Sequence, residues 1–495
     1  MNLPKIYAPN LHLFAFHRRN PLHRDSSANP VEGAQQLWEK WGNILQTYGY
    51  DKPLDLWGYY PPKGETAYDP TEEPAGSIVN LYKNGILDFK GVVEVEGEPT
   101  KFTGIACPRR MYDSYALALN IRRPDKEGDR PTEPVSIAIY REFNSQGILL
   151  PDFVASSLGQ TLLITADLTP EQKQFSSEGL KQLAHQCLEQ FIPDADKRPE
   201  FNRKGRMFGS QIFEFGKFNH LETASSSPNI LVLFFREEAM RRKFETSYWD
   251  IIELWYYRNQ VISSFIKSRS IYQVSYETYQ EISQQVGQVN EQFLQLPESR
   301  NFSQRSWEGL KSKLKIMPSL GLEYARLQRD LELQLNRITI LGKKYDATLE
   351  KIQEKQSLDV LYLKPVDLSF LKCFTQEDAP DFKERIKADL DYLMHGNGLV
   401  EQAIAAIRGM VEVEKAARDR IRETKLEAMA AGIGTAVVVA SSSILLEENP
   451  IPFPYSDSTT PRMHPFFTAI LLSAIAGILV FGFSVTILTW IRRHK

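Results

Sequence analysis

Two apolar stretches stand out near the end of a chain in which polar and apolar residues otherwise mix. Residues 428–446 and 466–491 contain no charged side chain. A helix rises about 1.5 Å per residue, so crossing a hydrocarbon core of about 30 Å takes roughly 20 residues. The pattern predicts a two-helix C-terminal transmembrane hairpin. The shorter first stretch is also consistent with a buried or re-entrant helix.

Basic residues lie on the outer flanks of both stretches. Arg418, Arg422 and Lys425 precede the first, and the chain ends Arg492-Arg493-His494-Lys495. Lys and Arg near membrane ends favour the cytoplasmic face. These flanks predict a multi-pass protein of the cell membrane with cytoplasmic N- and C-termini.

Apolar residues at helical spacing dominate the region before the hairpin. A heptad seam runs through residues 279–296, and a second runs through residues 324–352. Such seams are typical of long helices that pack on one another as coiled coils. Residues 381–446 contain no proline and predict a third long helix, a stalk entering the first span. His395-Gly396-Asn397-Gly398 is its weak point.

Short β-type runs, broken by Pro, Gly and Asn or Asp turns, characterise residues 1–235. The predicted strands are residues 11–16, 91–95, 115–121, 135–140, 162–165, 207–215 and 230–235. One helix is predicted between them, at about residues 170–192. The fold class is therefore an α+β cytosolic domain followed by long α-helices and the transmembrane hairpin. The predicted domains are residues 1–235, an elongated helical domain at 236–426 with the stalk at 381–426, and the hairpin at 427–495.

Small residues recur at every fourth position in both predicted spans. Such spacing lets helix backbones approach closely in lipid. It fits a tight hairpin within one chain and also a ring of first spans from several subunits. The predicted packing residues are Ala428, Gly432, Ala436, Ala440, Ala469, Ser473 and Gly477.

The order of these segments resembles the CorA-type magnesium transporter family. The resemblance covers residues 236–495 and consists of architecture: long helices, a stalk continuing into a first span, a short outside loop, a second span and a basic C-terminus. It implies a homo-oligomer, a pentamer in that family, with a cation as the transported partner. The family's Gly-Met-Asn motif is absent, since the matching stretch reads Ser441-Ser442-Ser443-Ile444-Leu445-Leu446.

Acidic residues follow the first predicted span. Glu447, Glu448 and Asn449 would form acidic rings at the outer pore mouth of a homo-oligomer and raise the local cation concentration. The alternative is that these acids only mark the outer end of a helix.

Other chemistry is sparse in this sequence. The net charge is −3, which gives no reason to expect nucleic acid as a partner, and the three cysteines form no CxxC pair. No phosphate-loop, nucleophile-elbow or histidine metal motif is present, so we expect neither an enzyme nor a cofactor. A basic cluster comprises Arg109, Arg110, Arg122, Arg123 and Lys126. It could bind an anionic ligand or lipid headgroups, or be an ordinary solvated loop.

These patterns lead to one functional hypothesis and one alternative. The first is a CorA-like ion transporter or channel, or a degenerate relative gated by its cytosolic domain. The alternative is a membrane-anchored sensor or effector whose cytosolic domain binds a ligand or partner and signals to the hairpin.

Overall fold

The computed structural model describes residues 3–18, 32–52, 78–82, 85–216, 229–294, 304–357 and 367–418, together with Ile475, Leu479, Val480 and Phe483. The described strands are β1 (Lys5–Arg18), β2 (Ile78–Asn80), β3 (Leu87–Val95), β4 (Glu98–Met111), β5 (Ser114–Arg122), β6 (Lys126–Glu127), β7 (Arg130–Pro131), β8 (Val135–Ser136), β9 (Gln160–Asp167), β10 (Phe201–Met207), β11 (Ser210–Phe215) and β12 (Asn229–Phe235). The described α-helices are α1 (Glu32–Thr47), α2 (Ile139–Phe143), α3 (Pro151–Val154), α4 (Ser177–Phe191), α5 (Glu238–Thr246), α6 (Tyr248–Leu294), α7 (Gln304–Ser357), α8 (Ser369–Cys373), α9 (Ala379–Leu393) and α10 (His395–Arg418).

The chain divides into two compact units. Unit 1 comprises residues 1–270 and 331–387, and unit 2 comprises residues 271–330 and 388–495. The domain boundaries drawn from the sequence remain a prediction.

A mixed sheet forms the centre of unit 1. Its order is β10-β11-β12-β9-β1-β5-β4-β2, with β3 also paired to β4 and β8 to β1. β9 and β12 pair in parallel, and the neighbouring pairs β1–β5, β1–β9 and β4–β5 are antiparallel. All seven residues of β12 are buried, because both faces of the sheet are covered.

Each face of the sheet packs on helices. On one face, apolar side chains such as Leu13, Leu119 and Ile164 join the core residues of α1, α2 and α4. The opposite face meets the start of α6, where residues 254–262 are all buried. This continuous burial reflects a helix segment enclosed between the sheet and other parts of unit 1. The sequence favours core contacts for four aromatic residues early in α6: Trp255, Tyr256 and Tyr257 are buried, whereas Trp249 is 39% exposed.

Most of the predicted strands occur where the alternation placed them. The segment 135–140 is an exception, since only Val135–Ser136 is a strand and α2 begins at Ile139. The reason is local, because Ile139, Tyr140 and Phe143 are buried together on one side of a helical turn.

Residues of the two predicted heptad seams lie on the buried faces of the long helices α6 and α7. Ile282 and Val289 of α6 are buried, as are Tyr324, Leu331 and Ile338 of α7. The third predicted helix is interrupted between α9 and α10, beside the glycine-containing sequence that was its weak point.

The predicted membrane hairpin is contradicted. No helix in the part of the chain that the structure describes is long and apolar enough to cross a membrane. The described long helices carry charged residues along their length and are amphipathic. The fold class is therefore corrected to an α+β unit with long helices, and the multi-pass membrane localisation and ion-transport function are not supported.

The two predicted spans lie outside the described residues, apart from four helical positions at 475, 479, 480 and 483. The predicted packing residues Ala428, Gly432, Ala436, Ala440, Ala469, Ser473 and Gly477 also lie outside them. So do the predicted pore-mouth residues Glu447, Glu448 and Asn449.

Candidate functional site

A cavity of about 230 Å³ lies in unit 1. It lies between helices α5 and α6 and the face of the sheet that packs on α6. Its lining comes from β1, β4, β5, β9, β12, the segment after β5, and the two helices. The strand register explains this convergence. Asn10 of β1 lies between Arg122 of β5 and Thr165 of β9, and side chains two residues apart on a strand share a face.

The floor of the cavity is a buried polar network around His12. The Nδ1 atom of His12 lies 2.9 Å from Asn120 Nδ2 and 3.2 Å from the Tyr248 hydroxyl. An amide Nδ2 can only donate, so Nδ1 is the acceptor and the proton resides on Nε2, which lies 3.4 Å from Thr165 Oγ1. Burial, with the nearby Arg122 charge, lowers the pKa of His12 to about 3. This ring is therefore neutral at physiological pH and holds three strands and α6 together.

One side of the cavity is aromatic. Phe235 and Phe244 are almost fully buried, and Tyr248 and Trp249 continue the wall from the start of α6. Trp249 is 39% exposed, and the Arg109 guanidinium stacks over its ring at 3.6 Å. This wall can pack against an apolar or ring-bearing part of a ligand.

An ionic cluster around Arg241 forms part of the lining of the cavity. Arg241 of α5 donates from Nη1 to Asp167 Oδ2 at 3.0 Å, and its Nη2 lies 3.5 Å from Asp125. Glu245 lies 4.0 Å from the Nε atom of the same guanidinium. Burial raises the pKa of Asp167 to about 6, although the Arg241 charge opposes that shift and the neighbouring acids Asp125 and Glu245 add to it.

The cavity brings together only part of the predicted basic cluster. Arg122 and Arg123 line it, and Arg109 supports its wall through Trp249. Arg110 and Lys126 are not among the lining residues. Arg123 donates from Nη1 to the Glu133 carbonyl. For the Arg122 guanidinium, the described residues provide no hydrogen bond or ion pair.

The sequence did not predict the ionic cluster that Asp167 and Arg241 form in this site. Asp167 and Arg241 lie at a strand end and on a short helix, 74 residues apart. The available signal in the sequence is the change after residue 235 from β-type alternation to a charged helix, which places polar residues next to the end of a strand.

Cys107 is a structural thiol rather than a reactive one. Its Sγ donates to the Gly85 carbonyl at 3.1 Å and accepts from Arg109 Nε at 3.2 Å. Burial raises the pKa of Cys107, and the effect outweighs the lowering by Arg109. A thiol that stays protonated is a poor nucleophile.

Within the described residues, no group of three or more His, Cys, Asp or Glu side chains is arranged to hold a metal ion. This observation concerns the described ranges alone, so the predicted acidic positions 447 and 448 are not covered by it.

Comparison with known proteins gives no family assignment. No family model, curated protein or solved structure matches the chain. The resemblance to the CorA-type family is therefore neither supported nor refuted by relatives, and the functional argument depends on the geometry of the cavity.

Proposed function

We propose that unit 1 is a binding domain for a small organic anion that carries an apolar or aromatic group. The observation that supports the proposal most is the position of Arg122. This exposed arginine lines the cavity, has no partner among the described residues, and shares the cavity with an aromatic wall. Arginine forms paired hydrogen bonds with carboxylate or phosphate oxygens, which neutral side chains cannot replace.

The size of the cavity narrows the class of ligand. Drug-sized ligands occupy pockets of about 300–1,000 Å³. At about 230 Å³, this cavity suits a smaller metabolite and is too small to enclose a nucleotide.

The polar floor favours binding over proton-transfer chemistry. His12 is neutral, and its Nδ1 atom is already occupied by Asn120 and Tyr248. A general base needs a free lone pair and a pKa near the working pH. The floor is thus suited to fixing the orientation of a ligand.

Binding of 3-phenylpropanoate, a carboxylate with one aromatic ring, tests the proposal. Isothermal titration calorimetry of the full chain should show saturable binding of this probe. Arg122→Ala should weaken it at least tenfold, because a hydrogen bond to a charged group contributes about 1.5–3 kcal/mol. Arg130→Ala is the matched control, since Arg130 is exposed and does not line the cavity.

Two results would overturn the proposal. One is the absence of binding at millimolar probe. The other is equal loss of affinity in the Arg122→Ala and Arg130→Ala variants, which would indicate a general charge effect rather than a site.

A further inference from the structure

The charged residues that line the cavity form two groups. Arg122, which is exposed, has no ionic partner among the described residues. Asp125, Asp167 and Glu245 lie around the guanidinium of Arg241, and Lys173 also acts on Asp167. The three carboxylates outnumber these two cations and leave a local surplus of negative charge. A field of this kind orients a dipolar ligand.

The carboxylate of Asp167 has unused bonding capacity. Its Oδ2 accepts from Arg241, whereas Oδ1 is buried and has no hydrogen-bond partner. The Nε atom of Arg241 is also buried without a hydrogen bond. Leaving such groups unsatisfied costs about 1–3 kcal/mol each, so a ligand that offers a donor to Asp167 gains that energy on binding. The Asp167 side chain is 26% exposed and lines the cavity, so a ligand there can reach its carboxylate.

The strand register sets the distance between the backbones of Arg122 and Asp167. Arg122 lies opposite Asn10, Asn10 lies opposite Thr165, and Asp167 follows Thr165 by two residues on the same face. Adjacent strands are about 4.8 Å apart and two residues add about 6.7 Å along a strand, so the two backbones lie about 12 Å apart. The long arginine side chain can span part of that distance, and a small ligand can span the rest.

We infer that the ligand is zwitterionic: an α-amino acid with an apolar or aromatic side chain, its carboxylate on Arg122 and its ammonium on Asp167. The side chain then lies against Phe244, Tyr248 and Trp249. This assignment rests on the proposed binding function and specifies which ligands the same cavity prefers.

A matched pair of probes tests the inference. L-phenylalanine and 3-phenylpropanoate differ only in the α-ammonium group. By calorimetry on the full chain at pH 7.5, L-phenylalanine should bind at least tenfold more tightly. Asp167→Asn should abolish that preference while 3-phenylpropanoate binding changes little. Asp152→Asn, which alters an exposed acid on α3, should leave the preference intact.

A pH titration of the unmodified chain provides a second measurement that does not depend on the folding of a variant. Arg241, Asp125 and Glu245 face Asp167, with Lys173 also close enough to act on it. The preference for L-phenylalanine should fall between pH 7.5 and pH 5, because the pKa of Asp167 is about 6 and its protonated form does not attract an ammonium.

The outcomes separate this inference from the proposed function. Equal, Arg122-dependent binding of both probes would overturn the zwitterion assignment and leave the binding function standing. A preference for L-phenylalanine that survives in Asp167→Asn and is constant with pH would also overturn it. Binding of neither probe would overturn the proposed function itself.

Discussion

At the scale of single residues, the site is built from groups that differ in how fully their bonding capacity is used. His12 is satisfied on both ring nitrogens and fixes the floor. Asp167 and Arg241 each retain a buried atom without a hydrogen bond. Such unsatisfied groups destabilise the folded chain.

Asp167 should reduce the stability of the ligand-free protein at neutral pH. Its pKa is raised by burial from an ordinary 3.8 to about 6, so the folded state holds this proton more tightly than the unfolded chain does. The free energy of unfolding therefore falls as the pH rises from about 4 to about 6, and the full cost is present above that range.

Asp167→Asn should consequently stabilise the protein at pH 7.5 by about 3 kcal/mol, because the pKa is raised by about 2 units and each unit corresponds to about 1.4 kcal/mol. Urea denaturation should show the gain at pH 7.5 and its disappearance at pH 4. Asp152→Asn should change neither value. A less stable Asp167→Asn variant at pH 7.5 would show that the Arg241 ion pair outweighs the cost of burial.

The sequence predicted some of these residues and not others. Arg122 and Arg123 were found because they are adjacent in a basic run. Asp167 and Arg241 were not, because their contact depends on how a short helix packs against the end of a strand. His12 lies in one of the predicted β-type runs. Its partners on β5, β9 and α6 depend on the strand register and on the position of the helix, which the local sequence pattern does not encode.

At the scale of elements, the β3–β4 hairpin depends on two glycines covered by aromatic rings. Gly91 lies opposite Phe102, and Gly104 lies opposite Phe89. A Cβ atom at Gly104 would lie 2.1 Å from the Phe89 ring, and one at Gly91 would lie 2.6 Å from the Phe102 ring. Each ring covers the backbone that its glycine leaves open, an arrangement that stabilises glycine in sheets.

Gly104→Ala should therefore destabilise the protein by about 1–3 kcal/mol, since the Phe89 ring must leave its place. Gly287→Ala is the informative control. Gly287 lies in α6 with no atom within 4 Å of the added Cβ, so this change should stabilise by about 0.5–1 kcal/mol. Urea denaturation of both variants measures whether each substitution lowers or raises the free energy of unfolding. Equal effects would refute the ring-over-glycine account.

A buried ionic network attaches α6 to the other edge of the sheet. Glu214 of β11 accepts from Arg258 of α6 at 2.9 Å and from Arg203 of β10 at 2.6 Å. Asn229 of β12 donates to the same carboxylate at 2.9 Å. Burial alone would raise the pKa of Glu214, but the two guanidinium groups and the hydrogen bonds hold it below its ordinary value.

Glu214→Gln should destabilise the fold by about 3–5 kcal/mol, because it leaves the buried Arg258 without its compensating charge. Thermal and urea unfolding measure this loss. Glu238→Gln removes an acid from the exposed Glu238–Arg242 pair of α5 and should leave both midpoints unchanged. Similar small effects of the two substitutions would mean that the network does not hold the helix to the sheet.

Strand and helix positions were largely predictable, since alternation and heptad spacing record which face of an element is buried. The segment 135–140 was misassigned because its apolar residues fit both periods, and only packing decides between them. The order of strands in the sheet was not predictable, because it depends on pairing between residues far apart in the chain.

At the scale of the whole molecule, the described chain contains both a mixed sheet with short helices and long helices, as the sequence predicted. The membrane hairpin was inferred from charge-free length alone, and no described helix combines the needed length and apolarity. The proposed function therefore rests on the cavity in unit 1.

The most direct test of the account is calorimetric titration of the full chain with 3-phenylpropanoate, in parallel with the Arg122→Ala and Arg130→Ala variants. We expect saturable binding that weakens at least tenfold in Arg122→Ala and is unchanged in Arg130→Ala. Absence of binding, or the same affinity in all three proteins, would contradict it.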